Sequence, residues 1–313
     1  MVQGIHGRIG LRYCDDFRSL VQRRTAGRNK REFGFEYELI AEKPLSKHDF
    51  QRVKNSLDSC GFNDRNGKII CAEGMYITFE PGGQLEFSSP PLADGSTVKF
   101  DNLLKIISRT VTGIRNSTSV NYIPVPYIPH RANAPMVLEE GRYRDLHLLL
   151  GTVSDRGREM MKGTAAIHLH ASLTCFDELL KLWTFMCTLS RKSGFAMGKH
   201  RRDIWNRTDP SRCGLRCSKS DEINSSDILF EKLICFALRA LELQRGIPFE
   251  SIRPKPSFEE FLDHFTTIFT DVRLNTKGMT LELRTLDSRP LDQFKNSWIA
   301  FVSMVQSVMD GCS

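Results

Sequence analysis

Four short stretches set an acid, a histidine or an arginine two residues from another polar group. They are Glu36 and Glu38 in GFEYEL, His168 and His170 in AAIHLHASL, Glu282 and Arg284 in LELRTLD, and the split pair Glu80 and Glu86 in FEPGGQLEF. Residues i and i+2 of a β-strand point to one face. In three of these stretches the alternate positions are apolar: Phe35, Tyr37 and Leu39; Ile167, Leu169 and Ala171; Leu281 and Leu283. The spacing predicts strands with one face on a core and the other gathering carboxylates, imidazoles and a guanidinium. So many acids on one surface repel each other unless divalent cations sit between them. Acids with one or two histidines suit hard ions such as Mg²⁺ or Mn²⁺, which most often hold nucleotide phosphates. An arginine among them suits a clamp on a phosphoryl group in transfer. Residue types and spacing lead to a metal–phosphate enzyme and stop there.

Other chemistries lack their signatures. The chain has no GxxxxGK[ST] and no strand-associated GxGxxG, so the usual phosphate-cradling loops are missing. It has neither a GxSxG elbow nor HExxH. Cys213 and Cys217 in CGLRC lack the second ligand pair of a structural zinc site. The nine cysteines are scattered and no export signal precedes them, so reduced thiols are expected.

The elements that must position the polar face are readable around it. Ser46 to Cys60, Asp101 to Arg115, Asp177 to Lys192 and Ser226 to Arg245 carry apolar residues at helical spacing, and Ser46 and Asp177 are N-capping types. Ser257 and Glu260 form a capping-box pattern ahead of Phe261, Phe265 and Ile268. Pro290 suits the first turn of a helix over Leu291 to Met309. Tyr122 to Pro135 (YIPVPYIPHRANAP) holds four prolines that exclude regular helix. Strands and helices mix without βαβ regularity, which predicts an α+β fold with an antiparallel sheet. Length, 40% hydrophobic content and the absence of repeats or linkers favour a single catalytic domain over residues 1–313, with residues 1–30 a basic lead-in.

A net charge of +7 suits a polyanion such as ATP without selecting one. The run Arg23 to Arg31 (RRTAGRNKR) reads as a solvated helix end and loop. No stretch approaches the roughly eighteen apolar residues of a membrane span, and no signal-peptide core is visible. Asp15 and Asp16 argue against a transit peptide. A cytoplasmic enzyme of small molecules, with neither nucleic acid nor membrane as partner, is expected; monomer and homodimer both stay open.

A family resemblance extends this reading. FEPGGQLEFSSPPL resembles the EPGGQ-x-E-x-S-x-x-P segment of glutamate–cysteine ligases of the plant and ergothioneine-pathway type. EGRYRDLHLLLGTVSDRGREMMKGTAAIHL resembles their GRY segment with its later double methionine. DIWNRTDPSRCG is similar to their tryptophan–threonine–aspartate–arginine–glycine loop, and FLDHFTTIFTDVRLNTKGMTLELRTLD to the helix leading into an E-x-R strand. These blocks occur in family order over about Phe33 to Phe301.

The resemblance implies a glutamine-synthetase-like catalytic fold, a curved antiparallel sheet forming a funnel flanked by helices. It implies ATP-dependent amide formation: a carboxylate, usually the γ-carboxyl of glutamate, becomes an acyl phosphate that an amine such as cysteine displaces. Two or three Mg²⁺ or Mn²⁺ ions would neutralise the charge that moves. By matching positions, Glu36 or Glu38, with Glu80, Glu86, His168 and Glu282, would be metal ligands. Arg284 would contact the transferred phosphoryl group and Arg212 another anionic group. Trp205, Thr164 and Arg142 would line the substrate or nucleotide pocket. Where plant-type enzymes carry glutamine and asparagine in a QVNLD strand, this chain has His168 and His170. A phosphotransferase that stops at the phosphorylated acid, and a silent regulatory homologue, are the competing readings.

Overall fold

The alternating stretches build one sheet. The computed structural model describes residues 6–139, 141–214 and 223–310, with side chains from residue 12 onward. Its strands are β1 (Glu32–Ala41), β2 (Asn63–Arg65), β3 (Lys68–Ile70), β4 (Tyr76–Phe79), β5 (Leu85–Ser88), β6 (Leu92–Ala93), β7 (Tyr122–Ile123), β8 (Ala166–Ser172), β9 (Val272–Asn275) and β10 (Thr280–Asp287). The path runs β2-β3-β4-β5-β1-β8-β10-β9, with β6 and β7 pairing onto the two ends of β1. Every ladder is antiparallel. GFEYEL, AAIHLHASL and LELRTLD thus occupy the three adjacent central strands, β1, β8 and β10.

Helices flank this open sheet, as an α+β fold requires. They are α1 (His6–Thr25), α2 (Lys47–Ser56), α3 (Thr97–Thr118), α4 (Gly141–Val153), α5 (Gly157–Gly163), α6 (Glu178–Leu189), α7 (Lys199–Asn206), α8 (Pro210–Cys213), α9 (Ser226–Arg239), α10 (Phe258–Phe265) and α11 (Leu291–Asp310). The apolar face of β1 meets α3 and α11. Phe35 contacts Phe100, Phe294 and Trp298 edge-on, and Phe100 stacks on Trp298 with centroids 4.7 Å apart. One face of the central strands is therefore committed to the core, which leaves the other for polar groups.

Local signals fix several helix starts. Ser46 accepts from Asp49 N, and the capping box of Ser257 and Glu260 forms in both directions. Two expected helices end early. The stretch Ser46 to Cys60 stops at Ser56, followed by a 3₁₀ turn over Asp58–Cys60 that closes on Gly61 at φ +88°. The stretch Ser226 to Arg245 stops at Arg239, because Ala240 is extended and Leu241 bridges Pro248.

The basic run ends α1 and enters a loop, as expected, but it is more than solvated charge. Arg24 donates to Thr276 O at 2.8 Å and Arg28 to Gly278 O at 3.1 Å, both on the β9–β10 turn. Arg31 donates to Ser172 O and pairs with Glu178 at 2.7 Å. The proline-rich loop is held the same way. Arg131 donates to Ala41 O and Glu42 O, and Lys162 to Ala132 O and Ala134 O.

Among the described residues six thiols are free: Cys14, Cys60, Cys71, Cys175, Cys213 and Cys235. Cys187 is disulfide-bonded, which corrects the expectation of reduced thiols throughout. Cys217, the second cysteine of CGLRC, lies outside the described residues. Among the described residues no helix is long and apolar enough to cross a membrane.

Candidate metal centre and active site

Strand register carries the polar residues toward each other. Across the sheet, Thr78 pairs with Glu86 and Glu86 with Glu38; Ser88 pairs with Glu36 and Glu36 with His168. One rung further, Gly34 pairs with His170, His170 with Glu282, and Glu282 with Arg273. Six strands thus contribute to one oblique band rich in acids, imidazoles and guanidinium groups. The band faces a cavity of about 300 Å³, lined among others by Glu36, Glu38, Glu80, Glu86, Arg142, Thr164, His168, Trp205 and Arg284.

Glu80 and Glu86 meet because the chain turns sharply between them. Glu80 N donates to Gln84 O and Gly83 N to Glu80 O, closing the β4–β5 hairpin. Gly83 sits at φ +84°, a conformation that favours glycine. Gly82 faces a backbone approach: a Cβ there would lie 2.7 Å from Lys162 Cα and its carbonyl oxygen. Gln84 anchors the turn by donating to Met161 O and Thr164 O, both at 3.1 Å.

Arg284 owes its place to a β-bulge. The β8–β10 register shifts between Leu283, opposite Leu169, and Leu286, opposite Ile167, so Arg284 and Thr285 together face His168. A bulge frees backbone groups from the ladder and re-aims side chains. Here Arg201, 2% exposed, takes up the freed carbonyls by donating to Arg284 O at 2.9 Å, Leu286 O at 3.1 Å and Ala165 O at 3.2 Å.

Among the described residues two groups of ligand atoms are close enough to share an ion: Glu36, Glu86 and His168; and Glu36, His170 and Glu282. Glu36 belongs to both. His168 Nδ1 donates to Glu36 Oε2 at 2.6 Å, and its Nε2 lies 3.6 Å from Glu38 Oε1. His170 Nε2 lies 3.7 Å from Glu36 Oε1 and is buried without a hydrogen-bond partner. An orphaned imidazole nitrogen beside a carboxylate is a donor set into which a divalent ion fits.

The charges are strongly biased. Burial and then the Glu38 carboxylate raise Glu80 to about 8, with Arg142 pulling the other way. Burial followed by Glu36, Glu80 and Glu38 raises Glu86 well above the carboxylate range. Burial also acts on Glu36 and Glu282, but their partners prevail. The His168 hydrogen bond and His170 bring Glu36 to about 2, and Arg273, His170 and Arg284 hold Glu282 far below 4.5. Burial and the Arg284 cation keep His168 neutral by lowering its pKa, as metal ligation through a ring nitrogen requires.

Two expected site residues sit differently from the rest. Glu282 is fully buried beneath the cavity, with Oε2 accepting from Arg273 and Arg284 and Oε1 from Asn275. Arg212 does not line the cavity. It has no exposed surface, lies 3.1 Å from Asp209, and donates to Thr267 O, Thr267 Oγ1 and Leu241 O. The expected contact with an anionic ligand is replaced by a structural tie between α8 and two loops, since every neighbouring acceptor already belongs to the protein. Conversely, sequence reasoning left the role of His170 open and passed over Arg273, Arg201, Tyr76 and Thr78. Thr78 donates to Glu86 Oε1 at 2.6 Å, and the others line the cavity or border its acids. Thr78 was recoverable from alternation with Glu80, and Arg273 from the alternation of its own strand, VRLN, where Val272 and Leu274 are the apolar positions.

Fold and site together define a class: an open antiparallel sheet with helices alongside, carrying a candidate divalent-cation cluster on one face. No family model matches the chain. It is similar over most of its length to plant glutamate–cysteine ligases. The chloroplastic glutamate–cysteine ligase A of Oryza sativa subsp. japonica is 22% identical over 305 residues, covering 84% of this chain and 59% of the relative. The chloroplastic enzyme of Medicago truncatula is 23% identical over 312 residues, covering 84% and 57%. That of Brassica juncea is 23% identical over 327 residues, covering 91% and 62%. The chain spans about three fifths of the length of these curated relatives.

Proposed function

We propose that the protein is an ATP-dependent carboxylate–amine ligase that acts through an acyl phosphate, with glutamate the donor acid and cysteine or another amine the acceptor. The observation that carries this reading is the convergence of Glu36, Glu38, Glu80, Glu86 and His168 with Arg284 on one cavity. The similarity to glutamate–cysteine ligases over 84% of the chain supports it.

In the first step a carboxylate oxygen attacks the γ-phosphorus of ATP, the bridging P–O bond to ADP breaks, and ADP departs with the electron pair. In the second the amine nitrogen attacks the acyl carbon, the C–O bond to phosphate breaks, and phosphate leaves while the nitrogen gives up a proton to solvent. Both substrates of the first step are anions. Mg²⁺ or Mn²⁺ held by Glu36, Glu38, Glu80, Glu86, His168, His170 and Glu282 would supply the neutralising charge. Arg284, fixed by the bulge, offers its guanidinium to the phosphoryl group in flight. Arg273 and Arg142 border the same cavity and serve substrate carboxylates or phosphate. Trp205, whose Nε1 donates to Phe269 O, and Thr164 shape the wall. We take residues 1–313 to act as one catalytic unit.

Phosphate release from ATP and Mg²⁺ decides the matter. Release that needs both glutamate and an amine supports ligation. Release or transfer with the acid alone reassigns the protein as a phosphotransferase, and absence of nucleotide binding overturns both.

A further inference from the structure

Two imidazoles stand on one face of β8, and each turns a nitrogen toward a carboxylate that it does not hydrogen-bond. His168 Nδ1 donates to Glu36 Oε2 at 2.6 Å, which leaves the lone pair on Nε2, 3.6 Å from Glu38 Oε1. His170 repeats the arrangement, with Nε2 3.7 Å from Glu36 Oε1 and Nδ1 3.2 Å from Thr280 Oγ1. The His170 ring is 9% exposed, and its Nε2 is buried without a hydrogen-bond partner. The facing oxygens are unspent as well. Glu36 accepts from His168 through Oε2, and Glu38 accepts from Ala166 N through Oε2, so in each acid the oxygen turned to an imidazole is the other one, Oε1.

Gaps of 3.6 and 3.7 Å are too long for hydrogen bonds. Each is the span of one ion bonded to both atoms at about 2.1 Å. An ion on His170 Nε2 puts the ring proton on Nδ1, where Thr280 Oγ1 accepts it; Glu36 already accepts that of His168. A protein acceptor on the second ring nitrogen fixes the tautomer and plane of a ligating histidine. Nitrogen also discriminates between ions. Mg²⁺ is hard, prefers oxygen and keeps its waters, whereas imidazole binds transition ions well.

We propose that this centre is built for a nitrogen-accepting transition ion, Mn²⁺ or Co²⁺, in preference to Mg²⁺, with His168 and His170 as ligands on either side of Glu36. The inference rests on the ligase reading for what the ions do, but the preference can be measured without nucleotide. Chelator-treated protein would be titrated calorimetrically with Mn²⁺ and with Mg²⁺, without ATP. Pulsed EPR of the Mn²⁺ form would then detect any imidazole nitrogen bonded to the ion. Mn²⁺ should bind about a hundredfold more tightly than Mg²⁺ and show that nitrogen coupling. His170→Asn should weaken Mn²⁺ about tenfold, diminish the coupling and leave Mg²⁺ within about twofold, the last also showing that the variant folds. Equal affinities, or Mn²⁺ bound without nitrogen coupling, overturn the proposal, and so does a His170→Asn variant that keeps the full preference. The coupling is read on the unaltered protein, so it decides even where the variant fails to fold. Phosphate release separates the two readings. Nitrogen-bound Mn²⁺ in a protein that releases no phosphate from ATP with glutamate and an amine keeps the ion preference and sinks the ligase. Ligation with Mg²⁺ and Mn²⁺ bound alike sinks the preference and keeps the ligase.

Discussion

Glu80 shows most directly what the acidic face costs. In the metal-free protein it titrates at about 8 against an ordinary 4.5, and Glu86 is raised too. Acids raised on folding contribute stability that is whole below pH 4.5 and is lost as pH climbs through their folded values. Glu36 and Glu282 behave oppositely: their contribution is present above pH 4.5 and is lost as pH falls through their lowered values, about 2 for Glu36. Between pH 6 and 9 Glu80 passes through its raised value and gains its charge. The melting temperature of the chelator-treated protein should therefore fall by about 5 °C or more over that range, and Mg²⁺ or Mn²⁺ should restore it. Scanning calorimetry with and without EDTA checks this, and a flat profile would contradict the crowding of Glu80 and Glu86. Glu80→Gln should flatten the profile while lowering turnover about a hundredfold. Near-normal turnover in that variant would remove Glu80 from the ligand set.

Alternation made most of these residues legible in the sequence, because a period of two fixes the face of a side chain without knowledge of its partners. His170 is different. Its value comes from standing opposite Glu282, and register between strands over a hundred residues apart is not written in either strand. Arg212 was misplaced for a related reason. A cation that binds phosphate and one that ties backbone carbonyls look alike in a motif, and only burial tells them apart.

Among the elements, the β4–β5 hairpin and the β10 bulge do the positioning. Gly82→Ala would push a methyl group into the Lys162 backbone, which cannot yield like a flexible side chain. We expect a loss of about 1–3 kcal/mol, read as a lower urea midpoint with unchanged slope. A variant as stable as the parent would show that α5 can retreat from the hairpin. At the bulge, Arg201→Met leaves the carbonyls of Ala165, Arg284 and Leu286 without the donors seen here. The expected cost is about 3 kcal/mol or more, again from urea unfolding; an unchanged midpoint would mean water serves those carbonyls equally well. The two tight glycines and the split acids flagged the hairpin in the sequence. The bulge gave no such sign, since LELRTLD reads as unbroken strand until Leu283 and Leu286 must share one face.

Across the molecule, chemistry is separated from packing by the sheet itself. The thiols follow that division. Cys213 is buried, and burial pushes its thiol up to about 12, whereas Cys175 and Cys235 are exposed. Ellman's reagent on the native protein should modify Cys175 and Cys235 first and spare Cys213 until denaturant is added. Rapid labelling of Cys213 would reopen a reactive role for the CGLRC stretch. The antiparallel α+β architecture was readable from patterning, but helix ends such as Arg239 were not, because they depend on a distant bridge between Leu241 and Pro248.

Arg24, Arg28 and Arg31 spend their guanidinium groups on carbonyl oxygens of the turn beneath Glu282 and of Ser172. Much of what a charge tally counts as loose positive surface is thus a peptide-to-peptide clasp. Ionic strength weakens contacts between net charges and scarcely touches hydrogen bonds to neutral amides. Concentrated salt should leave the hairpin that bears Glu282 in place, while neutral lysine-for-arginine swaps, invisible to any electrophoretic assay, should set it swinging.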